Sequence, residues 1–145
     1  MSTPSHTAPE RASTAAASAR PPLRVLHVED DPISAALFAR LLAREPRLAV
    51  RTAVTAAAAM TLAADWQPEV LVIDSQLPDG DGYSLLGKLR SLPELADVPA
   101  CMCAADDRPA AAQRALALGF DAYWSKPVPG DVVLTALLEI ADRPR

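Results

Sequence analysis

Two cysteines, two lysines among fourteen basic residues and 4% aromatic side chains are what this chain of 145 residues has least of. The cysteines, Cys101 and Cys103, stand C-x-C within an apolar segment, which fits neither a four-ligand zinc site nor a disulfide framework. A reducing, cytoplasmic setting is therefore expected. The shortage of lysine, with a net charge of −4 and a pI near 5.1, leaves no dense basic surface for phosphate backbones, so direct nucleic-acid binding is disfavoured. No apolar run approaches the roughly 20 residues that cross a bilayer, so no membrane span is expected. What the chain does have is a 50% hydrophobic composition at the length of one ordinary domain. That supports one packed core and makes separate cofactor and substrate domains improbable.

Residues 1–22 are mostly Ala, Ser, Thr and Pro without a branched aliphatic or aromatic side chain, too little to bury to offset the entropy of ordering. They are expected to form a disordered tail rather than a secretory signal, because Pro and charge interrupt the apolar stretch a signal needs. The folded domain is expected over residues 23–143. Within it, short apolar runs alternate with helical periods. LRVLHV (23–28), LAVRTA (48–53), VLVID (70–74), VPACMCA (98–104) and FDAYW (120–124) have strand length. The intervening stripes are Ile33, Leu37 and Leu41 after a capping Asp31-Pro32, the alanine-rich 56–66, YSLLGKLR (83–90), a segment opened by Asp107 and Pro109 and closed by Gly119, and finally Val133, Leu137 and Ile140. Arg51 and Thr52 mark the second strand as an edge, and the unbroken apolar VLVI marks the third as central. Five alternations of strand and helix predict an α/β fold with a doubly wound parallel sheet. Ligands of such sheets bind beyond the carboxyl ends of the strands.

Glu29 and Asp30 end the first strand and Asp74 ends the third. If those strands are neighbours, three carboxylates converge, which is costly unless a cation sits among them. An oxygen-only set of this kind suits Mg²⁺. Lys126, after the fifth strand in SKPV, supplies a second cation, and Pro127 beside it can take a cis bond. Asp74, Mg²⁺ and Lys126 could together hold a phosphoryl group, with Asp74 as nucleophile.

In the segments VLHVEDD, VLVIDSQLPDGDG and DAYWSKPV the chain resembles the response-regulator receiver domains of two-component signalling. Residues 30, 74, 104 and 126 stand 44, 30 and 22 apart, as in that family. The resemblance runs from about Arg24 to about Ile140. It implies a flavodoxin-like (βα)5 fold, CheY-like, with strand order 2-1-3-4-5 and helices on both faces. It also implies that Asp74 accepts a phosphoryl group from a histidine kinase or histidine phosphotransfer protein, forming an aspartyl phosphate. Asp30 would bind Mg²⁺ directly, Glu29 through water, and the Gln76 backbone carbonyl would complete the protein ligands alongside Asp74. Lys126 would contact the phosphoryl oxygens, Tyr123 would be the aromatic switch, and the fourth helix, fifth strand and fifth helix would form the output surface, with homodimerisation open.

One position departs from the pattern. The family carries Thr or Ser where this chain has Ala104, and a methyl group cannot donate the hydrogen bond to the phosphoryl group. To a charged acceptor that contact is worth roughly 1.5–3 kcal/mol. The expectation is a single-domain response regulator, signalling through protein contacts rather than acting as an enzyme, with an atypical switch. The short stretch after Lys126 leaves no room for an output domain in this sequence. The alternative is a receiver-fold adaptor independent of phosphorylation. A dehalogenase-type phosphatase ranks last, because that chemistry needs an Asp where Gln76 stands.

Plainer roles are expected elsewhere. Asp79 and Asp81 read as turn and cap residues, with Gly80 and Gly82 supplying permissive backbone angles. Cys101 and Cys103 read as buried small side chains and His27 as a core or interface residue. Trp124 is expected to be partly exposed, a candidate partner contact.

Overall fold

The computed structural model describes residues 20–144, so most of the expected tail, residues 1–19, lies outside the described residues. Five parallel strands form one sheet: β1 (Leu23–Val28), β2 (Leu48–Ala53), β3 (Val70–Asp74), β4 (Ala100–Ala104) and β5 (Ala122–Ser125), in the order β2-β1-β3-β4-β5. Between them run α1 (Pro32–Ala43), α2 (Ala56–Trp66), α3 (Gly82–Arg90), α4 (Pro109–Ala117) and α5 (Gly130–Ala141). This is the flavodoxin-like arrangement. Among the described residues no helix is long and apolar enough to cross a membrane.

Alternation along the strands sends side chains to opposite faces, and the two faces are covered unequally. Leu26, Leu71, Ile73 and Met102 meet Ala59 and Ala63 of α2, Leu85 and Leu89 of α3 and Ala115 of α4. Val25, Val72, Cys101 and Cys103 meet Phe38 and Leu42 of α1 and Val133 and Leu137 of α5. The five residues of β3 and the five of β4 are all buried, as strands covered on both sides must be.

Local chemistry sets most of the boundaries. Asp31 caps α1 by accepting from Ser34 N at 2.8 Å, and Pro32 opens that helix. Thr55 caps α2 through Ala58 N at 3.0 Å, and Asp81 caps α3 through Ser84 N at 2.8 Å. Gly119, at φ +108°, takes the left-handed turn after α4 that a side chain would resist.

Five expectations need correction. β4 begins at Ala100, two residues late, and β5 at Ala122, because Asp121 turns inward to accept from Ala100 N at 2.8 Å. Arg108 rather than Asp107 precedes α4, and it makes no side-chain cap. Gly82 has no left-handed backbone angle. Its need for glycine is proximity, since a Cβ there would lie 2.6 Å from the backbone oxygen of Asp74. Trp124 is 6% exposed and packed in the core with Val133 and Leu137, because α5 covers that face of the edge strand.

Candidate acidic site

The carboxyl ends of β1 and β3 are adjacent, with Val28 paired to Ile73, so the residues that follow meet at one edge of the sheet. Glu29 extends the β1 ladder, its N–H donating to the Ala53 carbonyl at 2.9 Å. Its side chain is therefore held inward and is 1% exposed, whereas Asp30 points to solvent. Asp74 is 8% exposed. Glu29, Asp30 and Asp74 each offer one oxygen, all within 4.8 Å of one another.

Lys126 answers this negative cluster. Its Nζ donates to Glu29 Oε1 at 2.7 Å and to Asp74 Oδ2 at 3.0 Å. Its own N–H donates to the Ala104 carbonyl at 2.7 Å, tying the segment after β5 to the end of β4, and Pro127 follows in cis. The second oxygen of Glu29 accepts from Asp31 N at 3.1 Å, and Asp74 Oδ1 has a long contact with Gln76 N at 3.4 Å. The carboxylates and Lys126 face an open cavity of about 650 Å³ that Gln76, Ala105 and Asp106 also line.

Burial raises the Asp74 carboxyl above its ordinary value, and the neighbouring Glu29 adds to the rise more than Lys126 takes away. Burial opposes the charge on Lys126, but its bonds to Glu29 and Asp74 outweigh that and raise it. An oxygen-only pocket whose carboxylates are held apart by one ammonium suits a hard divalent cation and an oxyanion together.

Ala104 lies at the end of β4, 4% exposed, and presents only a methyl group. Half-buried Tyr123 on β5 donates its hydroxyl to the backbone carbonyl of Asp106 at 2.5 Å. The Asp106 side chain is gripped by Arg108, Nη2 to Oδ2 at 2.6 Å, and these hydrogen bonds hold its carboxyl down at about 2. Cys101 and Cys103 are buried, and burial pushes both thiols up to about 12, as expected of inert core residues. His27 is also buried, stacked on Phe38 with ring centroids 4.0 Å apart.

The sequence reading gave Asp79 only a local turn role. Its carboxylate in fact crosses the loop to the start of α2 and accepts from Ala56 N at 2.7 Å and Ala57 N at 3.0 Å. Between Asp74 and α3 the chain also forms a two-residue antiparallel pair, Gln76–Leu77 with Gly80–Asp81. Asp79 thereby fastens the loop that carries Gln76 to a helix of another unit. No spacing rule signals such a bond, since it joins a turn to the first residues of a helix that lies elsewhere in the chain.

The family model for the response regulator receiver domain matches residues 25–138. Among curated proteins, the chain is 36% identical over 104 residues to a 14.6 kDa protein in the sodA1 3′ region of Leptolyngbya boryana, covering 72% of this chain and 79% of that one. It is 38% identical over 108 residues to the transcriptional regulatory protein PrrA of Mycobacterium tuberculosis, covering 72% of this chain but only 43% of PrrA. The receiver domain of the Francisella response regulator 1452 superposes with a TM-score of 0.76 at 25% identity, covering 84% of this chain and 98% of that one. The chemotaxis response regulator CheY4 of Vibrio cholerae has the same fold, with a TM-score of 0.74 at 21% identity over 82% of this chain and 98% of its own.

Proposed function

The chain belongs to the response regulator receiver domain family, a family of two-component signalling domains, and from that premise we propose that it is a phosphoacceptor whose nucleophile is Asp74. The observation that carries this reading is the double engagement of Lys126 with Glu29 and Asp74 at 2.7 and 3.0 Å, which holds one cation against the reacting carboxylate. In the transfer an Asp74 oxygen forms a bond to phosphorus. The phosphorus–nitrogen bond of a phosphohistidine on a kinase or phosphotransfer protein breaks, and its electron pair stays on the imidazole. Lys126 would move its contact to the incoming phosphoryl oxygens.

The donor set fits Mg²⁺. As the family resemblance implies, Glu29 would act through water, with Asp30, Asp74 and the Gln76 carbonyl as direct ligands; the close 2.7 Å contact of Lys126 and the Asp31 N–H on the two oxygens of Glu29 are consistent with that. The ion would supply charge neutralisation on the phosphoryl oxygens. Output would pass through contacts of the α4–β5–α5 face, where Leu116, Leu118 and Val132 are about half exposed, to a protein partner or a second copy in the cytoplasm. The switch would be atypical, because Ala104 cannot bond the phosphoryl group.

A small-molecule phosphodonor with and without Mg²⁺, read by intact mass against Asp74→Asn, tests the proposal. One Mg²⁺-dependent phosphoryl adduct that disappears in Asp74→Asn is expected. No adduct, with beryllofluoride also failing to bind, would select the phosphorylation-independent adaptor. That second reading is favoured by one observation: the Tyr123 hydroxyl is already bonded to Asp106 without any phosphoryl group.

A further inference from the structure

Of the direct ligands proposed for Mg²⁺, Asp30 and Asp74 offer side-chain oxygens that can turn toward an ion. The Gln76 carbonyl belongs to the backbone and goes only where its loop goes. What fixes the loop therefore bears on the site. The segment between β3 and α3 folds back as a two-residue antiparallel pair, Gln76 opposite Asp81 and Leu77 opposite Gly80. So short a pair does not hold itself together in water. Its base is anchored nearby: Gly82 N donates to the Ser75 carbonyl at 2.9 Å, Asp81 caps α3, and Leu77 is buried. Its exposed tip carries Asp79, whose bonds to Ala56 N at 2.7 Å and Ala57 N at 3.0 Å reach 23 and 22 residues back in sequence to α2.

This tie does more than finish a helix. α2 has its own cap in Thr55, which accepts from Ala58 N at 3.0 Å and leaves the N–H groups of Ala56 and Ala57 to be answered from outside. Asp79 answers both, one with each oxygen. A carboxylate suits the positive end of a helix, and these bonds hold the Asp79 carboxyl below the ordinary carboxylate range, so the tie persists at neutral pH. The start of α2 and the loop bordering the acidic cavity are thus joined through one side chain.

We propose that Asp79 is a positioning residue for the Mg²⁺ site: by pinning the loop tip to α2 it holds the Gln76 carbonyl in place for the ion without touching the ion itself. The role presupposes that the acidic pocket binds Mg²⁺ as proposed above.

Mg²⁺ titrated into the metal-free full chain, followed by amide chemical shifts, tests this. Asp79→Ala should bind Mg²⁺ about tenfold more weakly, the low end of what loss of an outer support of a metal ligand costs. Asp79→Asn, which keeps one acceptor oxygen, should fall between. Thr55→Ala weakens the same helix end but leaves Asp79 in place, and should bind Mg²⁺ as the unaltered chain does. Coupling is reciprocal, so saturating Mg²⁺ should slow hydrogen exchange at the Ala56 and Ala57 amides of the unaltered chain by about the same factor, which a cap unconnected to the ion would not show. That reading needs no variant, so it decides the matter even if Asp79→Ala does not fold. Equal affinity in Asp79→Ala, an equal loss in Thr55→Ala, or exchange at Ala56 and Ala57 indifferent to Mg²⁺ would overturn the positioning role and leave the acidic pocket standing. No saturable Mg²⁺ shift in the unaltered chain would overturn both.

Discussion

The carboxyl end of the sheet has two halves built to different standards of completeness. Over β1 and β3 the groups that the proposed phosphoryl transfer would use converge, and Lys126 contacts two carboxylates within 3.0 Å. Over β4 and β5 a methyl stands where a hydroxyl would report the event, and Tyr123 bonds the Asp106 backbone instead. The difference teaches that taking on charge and passing on the news are separate tasks here. The first needs converging charges. In the proposed reading the second needs one hydrogen-bond donor, which the methyl of Ala104 does not supply.

The largest expected effect breaks the first half. Lys126→Met should cut phosphoryl incorporation by roughly 100-fold or more, as loss of one preorganised charge contact does. It also strands Glu29, at 1% exposure, without its cation. Equilibrium unfolding in urea should then register a loss of about 3 kcal/mol. Normal incorporation in this variant would erase the distinction between the halves.

Acid should act on the first half alone. The His27 pKa falls from 6.5 to about 4, chiefly through burial. The native chain thus binds fewer protons than the unfolded one across that window, and stability is lost as pH drops through it. By linkage the loss approaches about 3 kcal/mol. The raised carboxyl of Asp74 works in the opposite sense, so the difference in urea midpoint between the unaltered chain and His27→Phe isolates the histidine. Asp106, held at about 2, stays ionised throughout and spares the second half.

Gly82→Ala should cost about 1–3 kcal/mol, because the added methyl meets backbone rather than a flexible side chain. Incorporation at Asp74 should slow with it. The smallest effect should come from Ala104→Thr, which leaves the incorporation rate unchanged but raises the phosphorylation-dependent shift of Tyr123 about tenfold in population. An equal shift of Tyr123 in the unaltered chain would show that the second half is complete by other means.

The first half was largely legible in the sequence. β1, β2 and β3 lie where their apolar runs placed them, and β1 beside β3, the strand order the family resemblance implies, brings Glu29, Asp30 and Asp74 together. Local rules carry that far because strand, cap and terminus are set by neighbours in sequence. They fail where tertiary contact decides. Trp124 alternates toward a face that looked open until α5 covered it, and Asp79 reaches a helix 22 residues upstream at its Ala57 end. Gly82 was assigned to turn geometry, whereas its backbone lies against Asp74, a proximity no single-residue preference reveals.

Cys101 and Cys103 lie side by side on one face of a strand flanked by β3 and β5, sealed from solvent. Their sulfurs face α1 and α5, so a thiol reagent reaches them when those helices lift from the sheet. The protein thus carries its own stopwatch, and the pace at which an alkylating agent consumes these two sulfurs times how often that helical cover comes away, with no foreign label added.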